Sequence, residues 1–266
     1  MTIALHLVLL AWLVAAGVMT LLWLIHLPMR NAAIVDFGWG FLLPTIAIVY
    51  AIAGPGYAPR RWLVAGMAAV WGYRLAFYLL FTRIIGHPEE GRYVELRQSW
   101  KTNLPLKFFV FFQAQALLDV MLSMPFLLAA LDPRPALNWT NLAGAALWLI
   151  AFTGEATADA QLNAFKSNPA NKGKTCRAGL WNYSRHPNYF FEWLIWVAYA
   201  LYVIMAPWGR LALACPALML FFLFRVTGIP ATEAQALRSR GEEYRRYQET
   251  TNAFVPWFPK KTEAAH

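Results

Sequence analysis

The chain has 266 residues, of which 59% are hydrophobic and only 14% charged, and its mean hydropathy is +0.41. A soluble domain of this length carries about a quarter charged residues, so a soluble enzyme is excluded; recurring runs of about twenty apolar residues indicate an all-α, polytopic membrane protein. The net charge of +9 does not argue for a nucleic-acid partner, because Lys and Arg in such a chain first report which loops face the cytosol.

Seven spans are predicted, at about 3–27, 38–54, 62–85, 105–131, 140–165, 188–207 and 210–228. The first is not a signal peptide: it lacks a basic start, its apolar run is too long, and no small-residue cleavage site follows. Gly54, Pro55, Gly56 and Pro59 separate the second span from the third, and Pro133 and Pro135 the fourth from the fifth. Ala206-Pro-Trp-Gly209 turns the chain between the sixth and seventh. Beyond Gly228 the sequence becomes polar, with Glu233, Arg238, Arg240, Glu242, Glu243, Arg245 and Arg246. That tail is expected to form a cytosolic helix closed by Pro256-Trp-Phe-Pro259. No repeat or second domain is visible. An odd number of spans puts loops 28–37, 86–104 and 166–187 on the side of the C-terminus, and this side holds most of the Lys and Arg. The C-terminus is therefore expected in the cytosol and the N-terminus outside.

The informative residues are ionisable groups in or beside apolar spans: Asp36, Arg74, Asp119, Glu155, Asp159, Glu192 and Arg225. A central Asp or Arg costs on the order of 2.5–3.5 kcal/mol to insert, so such groups face protein interiors and mark sites. Asp36, Asp159, Glu192 and Arg225 fall near the cytosolic ends of four helices, as a pocket opening to the cytosol requires. Glu155, Asp159 and Asn163 are four apart and share a helix face, which Lys166 extends. The alternative is a buried network pairing these carboxylates with Arg225 or Arg74. The Phe-rich run at 107–112 is expected to face lipid, and no role is assigned to His6 or His26. Cys176 and Cys215 have neither metal-ligand spacing nor a partner His, so unpaired thiols are expected and no metal site is assigned.

The stretch Gly179-Leu-Trp-Asn-Tyr-Ser-Arg-His-Pro-Asn-Tyr-Phe-Phe-Glu192 concentrates the chemistry. Pro187 starts a helix, where its missing N–H costs nothing. Arg185, His186, Asn188 and Tyr189 surround the helix start, and Glu192 follows one turn beyond Asn188. A helix N-terminus flanked by cations and amide donors suits an anion. A large anionic cofactor at the water–lipid boundary is the expected ligand. The run Gly241-Glu-Glu-Tyr244-Arg-Arg-Tyr247 reads either as an amphipathic helix on the headgroups or as paired tyrosines covering a nucleotide.

These residues carry a resemblance. The 179–192 motif, followed by Thr227-Gly-Ile-Pro230 with Glu233, then Tyr244-x-x-Tyr247 and Phe254-x-Pro-Trp257, resembles the steroid 5-alpha-reductase-like family. The closer likeness is to its bacterial branch described as a domain of unknown function, which Val35-Asp-Phe-Gly-Trp39 and Gly91-Arg-Tyr93 with Leu96-Arg97 also fit. The resemblance covers nearly the whole chain and implies a single membrane domain over 1–266, in the bacterial inner membrane, with a cofactor-binding half at about 140–260. It implies NADPH as cofactor and hydride transfer to a C=C bond conjugated to a carbonyl in a lipid, steroid or isoprenoid substrate. Asp159, Asn188, Glu192 and Arg225 match family cofactor contacts, and Lys166 falls where the family has an arginine near the phosphates. Asn163, Lys174, Arg185, His186, Tyr189 and Tyr244 join the expected cofactor set on their chemistry. The family polarises its substrate carbonyl with a Gln-Glu pair and a Tyr, which this chain lacks at those places. Asp36 and Tyr73 are the nearest stand-ins, and Asp36 donates only if burial keeps it protonated. The Arg-His-Pro-x-Tyr run also resembles the isoprenylcysteine carboxyl methyltransferases, which use S-adenosylmethionine. The basic set Lys166, Lys172, Lys174, Arg177 and Arg185 favours NADPH, whose phosphates call for several cations.

Overall fold

A computed structural model describes residues 2–226 and 228–260, and among these every regular element is helical. The helices are α1 (Ile3–Met29), α2 (Ile34–Ala53), α3 (Ala58–Leu79), α4 (Gly91–Trp100), α5 (Leu104–Leu122) and α6 (Met124–Leu131). They continue with α7 (Trp139–Ser167), α8 (Pro187–Val203), α9 (Ala214–Phe221), α10 (Ile229–Arg240) and α11 (Glu242–Thr250). Single π turns extend α3 through Ile84 and α9 through Val226. Among the described residues, five helical stretches are long and apolar enough to cross a membrane: Ile3–Met29, Ile34–Ala53, Ala58–Ile84, Leu104–Leu122 and Gly209–Arg240.

Three elements differ from the hydropathy reading. The fourth span is two helices, because Ser123 interrupts the run and Pro125, lacking an N–H, opens α6. The loop at 86–104 contains α4, which buries Tyr93. The tail is two helices instead of one, broken at Gly241, whose φ of +55° suits a residue without a Cβ.

The chain divides into two compact units, 1–142 with 202–212, and 143–201 with 213–266. In the first, α1 buries one stripe, Leu7, Ala11, Ala15, Met19, Leu22 and His26. Its other faces leave Leu13, Leu21 and Leu24 more than half exposed, the inside-out pattern of a helix meeting lipid. Gln113 on α5 donates to the Thr20 hydroxyl (3.1 Å), and the Trp23 indole donates to the Pro105 carbonyl (2.9 Å), lacing α5 to α1. Half of the Phe-rich run turns inward: Phe108 and Phe112 are fully buried, while Val110 is 59% exposed. His26 is buried against both rings, at 5.3 and 5.2 Å between centroids.

The closest helix pair in this unit is α2 with α3. A Cβ on Gly72 would lie 2.7 Å from the Pro44 ring and 2.8 Å from the Gly40 carbonyl oxygen. At the far end of these helices Arg60 and Asp132, both without exposed side-chain surface, form an ion pair at 3.2 Å. Arg134 adds a second contact to Asp132 at 2.6 Å. Burial alone would raise the Asp132 pKa, but hydrogen bonds from Arg134 and the charges of Arg60 and Arg134 outweigh it and hold the carboxyl below its ordinary range.

Candidate functional site

The second unit contains most of the expected site residues. Two hydrogen bonds pin the 179–192 motif to α7: the Trp181 indole donates to the Ala158 carbonyl, and the Leu180 N–H donates to the Gln161 side chain, each at 2.9 Å. Gly179 makes the turn with φ +57°, a conformation that favours glycine. Pro187 then starts α8, with His186 N–H donating to the Ser184 hydroxyl (3.1 Å) just before it. This placement brings Asn188 to Asp159, its amide donating to the carboxylate at 3.4 Å. Glu155 and Asp159 are buried on α7, whereas Asn163 and Lys166, further along the same helix, are exposed. The polar stripe therefore runs from the interior to the surface. Glu192 is half-buried one turn beyond Asn188.

Where the stripe surfaces, a cleft of about 300 Å³ opens. Lys166, Lys172, Lys174 and Arg240 line it, with Leu162 and Phe165 as apolar wall. The loop carrying Lys172 and Lys174 is fastened by Thr175, whose N–H and hydroxyl donate to Glu243 at 2.9 and 3.0 Å. Cys176 follows, buried, and that burial pushes its thiol pKa up. Four cations and two apolar side chains thus share one cleft.

Other expected residues are engaged elsewhere. Arg185 is a clasp: its side chain donates to Glu233 (2.6 Å) and to the backbone carbonyls of Gln248 and Thr251. His186 lies 3.3 Å from the same Glu233 oxygen and stacks on Tyr189 at 5.3 Å between ring centroids. Gln248 takes the second Glu233 oxygen at 2.8 Å. Together these contacts hold α10 and α11 to the start of α8. Tyr244 is 4% exposed, packed edge-on against Tyr247 and under Arg240 (5.1 Å); burial pushes its hydroxyl up to about 12. Tyr247 donates to the Trp181 and Ser184 carbonyls. The tyrosine pair is thus part of the tail's own core. Arg225 is exposed on the π turn and pairs with no carboxylate among the described residues. Thr227 of the expected motif lies outside the described residues.

Asp36 and Tyr73 belong to the first unit and take different partners. Asp36, in the first turn of α2, accepts from Arg92 (2.5 Å) and from the Tyr93 hydroxyl (2.8 Å). Burial first, and the Asp36 carboxylate next, push the Tyr93 hydroxyl well above its ordinary range. With both oxygens accepting, Asp36 is not arranged as a hydrogen-bond donor. Tyr73 lies 3.2 Å from the Thr45 hydroxyl, which itself donates to the Phe41 carbonyl, so Tyr73 is the donor in that pair. Asp36 and Thr45 are nine positions apart on α2, about 13 Å along the axis at 1.5 Å per residue. Glu233, Glu243 and Arg240 were missing from the expected site. Glu233 stood in the motif that carries the resemblance but was given no role, and Glu243 and Arg240 were marked only by charge, which the tail carries throughout.

The fold and this cleft define a helical chain of membrane-spanning composition with a cation-lined cleft in its second unit. Residues 22–251 match the family described as Protein of unknown function (DUF1295), and the chain belongs to that family. Neither a curated protein nor a solved structure matches it.

Proposed function

We propose that this chain is a membrane reductase of the steroid 5-alpha-reductase-like kind. It takes NADPH from the cytosol and reduces a C=C bond conjugated to a carbonyl in a lipid-soluble steroid, isoprenoid or related substrate. The observation that carries this reading is the convergence of Lys166, Lys172, Lys174 and Arg240 on one cleft at the surfacing end of the Glu155–Asp159–Asn163 stripe. In the proposed topology α5 with α6 makes the fourth span, α7 and α8 the fifth and sixth, and the stretch from Gly209 the seventh. This leaves α10 and α11 on the cytosolic face of a bacterial inner membrane. On α11 Tyr244 and Tyr247 turn inward while Glu242, Arg245 and Arg246 are exposed, the two faces of an amphipathic helix.

The donor set fits the cofactor. Three lysines and an arginine answer a diphosphate and a 2′-phosphate, and Leu162 with Phe165 offers an apolar bed for an adenine ring. A cleft of about 300 Å³ is at the small end of ligand pockets and suits the phosphate-bearing portion. When bound, NADPH supplies the hydride. The Asn188 amide, steadied by Asp159, is suited to hold a carboxamide. In the first unit Tyr73 is the hydroxyl assigned as donor to a carbonyl, a role that requires it to turn away from Thr45. Asp36 holds α4 through Arg92 and Tyr93 and leaves that donor role to Tyr73.

The test is a thermal-shift titration of the detergent-purified chain with NADPH, NADH and S-adenosylmethionine. At a hundred times Kd, a ligand of the folded state adds about 2.7 kcal/mol. NADPH is expected to raise the melting temperature more than NADH does, with Lys172→Gln and Lys174→Gln each weakening the effect about tenfold. A rise with S-adenosylmethionine alone moves the assignment to methyl transfer. No rise with any of the three discards the cofactor site.

A further inference from the structure

The first unit carries a second opening, unconnected with the nucleotide reading. Where α1 ends at Met29 and the π turn ends at Ile84, the adjoining segments line a cleft of about 410 Å³. Its lining combines opposite chemistries. Met29 and Ile85 are 41% and 51% exposed, a hydrocarbon ledge at the ends of two stretches apolar enough to cross a membrane. Arg30, Asn31 and His87 supply the polar side.

The two segments are laced together, and the lacing decides the sign of the cleft. The Asn31 amide donates to the His87 carbonyl at 3.4 Å, and the Ala32 N–H donates to Glu89 at 2.6 Å. Glu89 is the acidic member of the lining, and Arg97 grips both its oxygens at 2.7 and 3.0 Å. Its charge is therefore balanced and its lone pairs largely taken. Arg30, by contrast, is exposed and enters no ion pair or side-chain hydrogen bond among the described residues. His87 donates through Nδ1 to the Ile85 carbonyl at 2.9 Å, and Nε2 has no partner among the described residues. Nε2 can accept from a protonated head group, or donate once protonated itself. Arg30 is the left-handed cap of α1, with φ +51° and its N–H donating to the His26 carbonyl, which places it at the rim of the cleft.

We infer that this cleft binds an anionic amphiphile, with a phosphate-type head against Arg30 and His87 and the first methylenes of its chain over Met29 and Ile85. The head could come from a membrane lipid or from a soluble phosphate. The apolar ledge favours the lipid, since a free anion gains nothing from Met29 and Ile85.

The experiment is a thermal-shift titration of the full chain in a neutral maltoside detergent with dodecyl phosphate, inorganic phosphate and dodecyltrimethylammonium. No nucleotide is present, so the result is independent of cofactor binding. Dodecyl phosphate is expected to stabilise the protein. Arg30→Gln and His87→Gln are each expected to weaken its apparent affinity about tenfold, the worth of one charge-assisted hydrogen bond. Arg246→Gln, on the exposed face of α11, is the charge-matched control and should change it less than about twofold. If Arg30→Gln does not fold, Arg30→Lys keeps the charge but loses the guanidinium fork, and should still bind more weakly than the wild type. Inorganic phosphate matching dodecyl phosphate would overturn the amphiphile assignment. So would equal stabilisation by dodecyltrimethylammonium, or an unchanged response in Arg30→Gln and His87→Gln.

Discussion

Two buried aspartates show how the same side chain can be anchored or stranded. Asp119 on α5 is fully buried, and neither of its carboxyl oxygens has a hydrogen-bond partner among the described residues. A buried polar group left unpaired costs about 1–3 kcal/mol. Asp119→Ala is therefore expected to stabilise the folded protein by about that amount, measured as a shift in the denaturation midpoint; a destabilised variant would disprove it. Asp132 is the opposite case, gripped by Arg60 and Arg134. Its folded pKa lies below the ordinary value of 3.8, so its contribution is complete above that value and is lost as pH falls through the lower, folded pKa. A stability titration from about pH 6 to about pH 3 should show an acid limb that Asp132→Asn flattens. An unchanged limb in the variant would assign the acid sensitivity to other carboxyls. Residue types made the Asp159–Asn163 stripe legible, because helical spacing alone puts those groups on one face. The same reasoning assigned Arg185 and His186 to a cofactor. It could not see that Glu233, 48 residues beyond Arg185, takes both.

Helices were legible where an apolar run was uninterrupted, and less so where one small residue changed its course. Ser123-Met-Pro125 divides the fourth span within a few residues, so an average over twenty residues passes across the break. Gly241 divides the tail in the same way, and its signal was one glycine after Arg240. Close approach is a further property that composition hides. The contact of α2 with α3 depends on Gly40 and Gly72, and the backbone is too near at Gly72 for any side chain. Gly72→Ala is expected to overpack that contact and destabilise the protein by about 1–3 kcal/mol, seen in the same denaturation midpoint. Gly66→Ala on the same helix meets open space and should be neutral or slightly stabilising, which separates crowding from helix propensity. Equal effects at the two positions would refute the packing argument.

At the scale of the molecule, hydropathy identified the class of protein, and five stretches satisfy both length and composition for crossing a membrane. The fifth and sixth expected spans, α7 and α8, are not among these five stretches. The 29 residues of α7 include Glu155, Asp159 and Lys166, and α8 is only 17 residues long. Charged groups inside a helix lower the very hydrophobicity by which a span is recognised. The lacing of α1 to α5 has a consequence for biogenesis. During synthesis α1 leaves the ribosome about 75 residues ahead of α5, and α5 carries Asp119, a burden on the order of 2.5–3.5 kcal/mol for a helix entering lipid alone. The Thr20 and Pro105 contacts, with the buried stripe of α1, give α5 a protein surface to enter against. Shortening α1 at its buried stripe is therefore expected to lower the fraction of chains in which α5 integrates, measured by glycosylation mapping of the segment after α5.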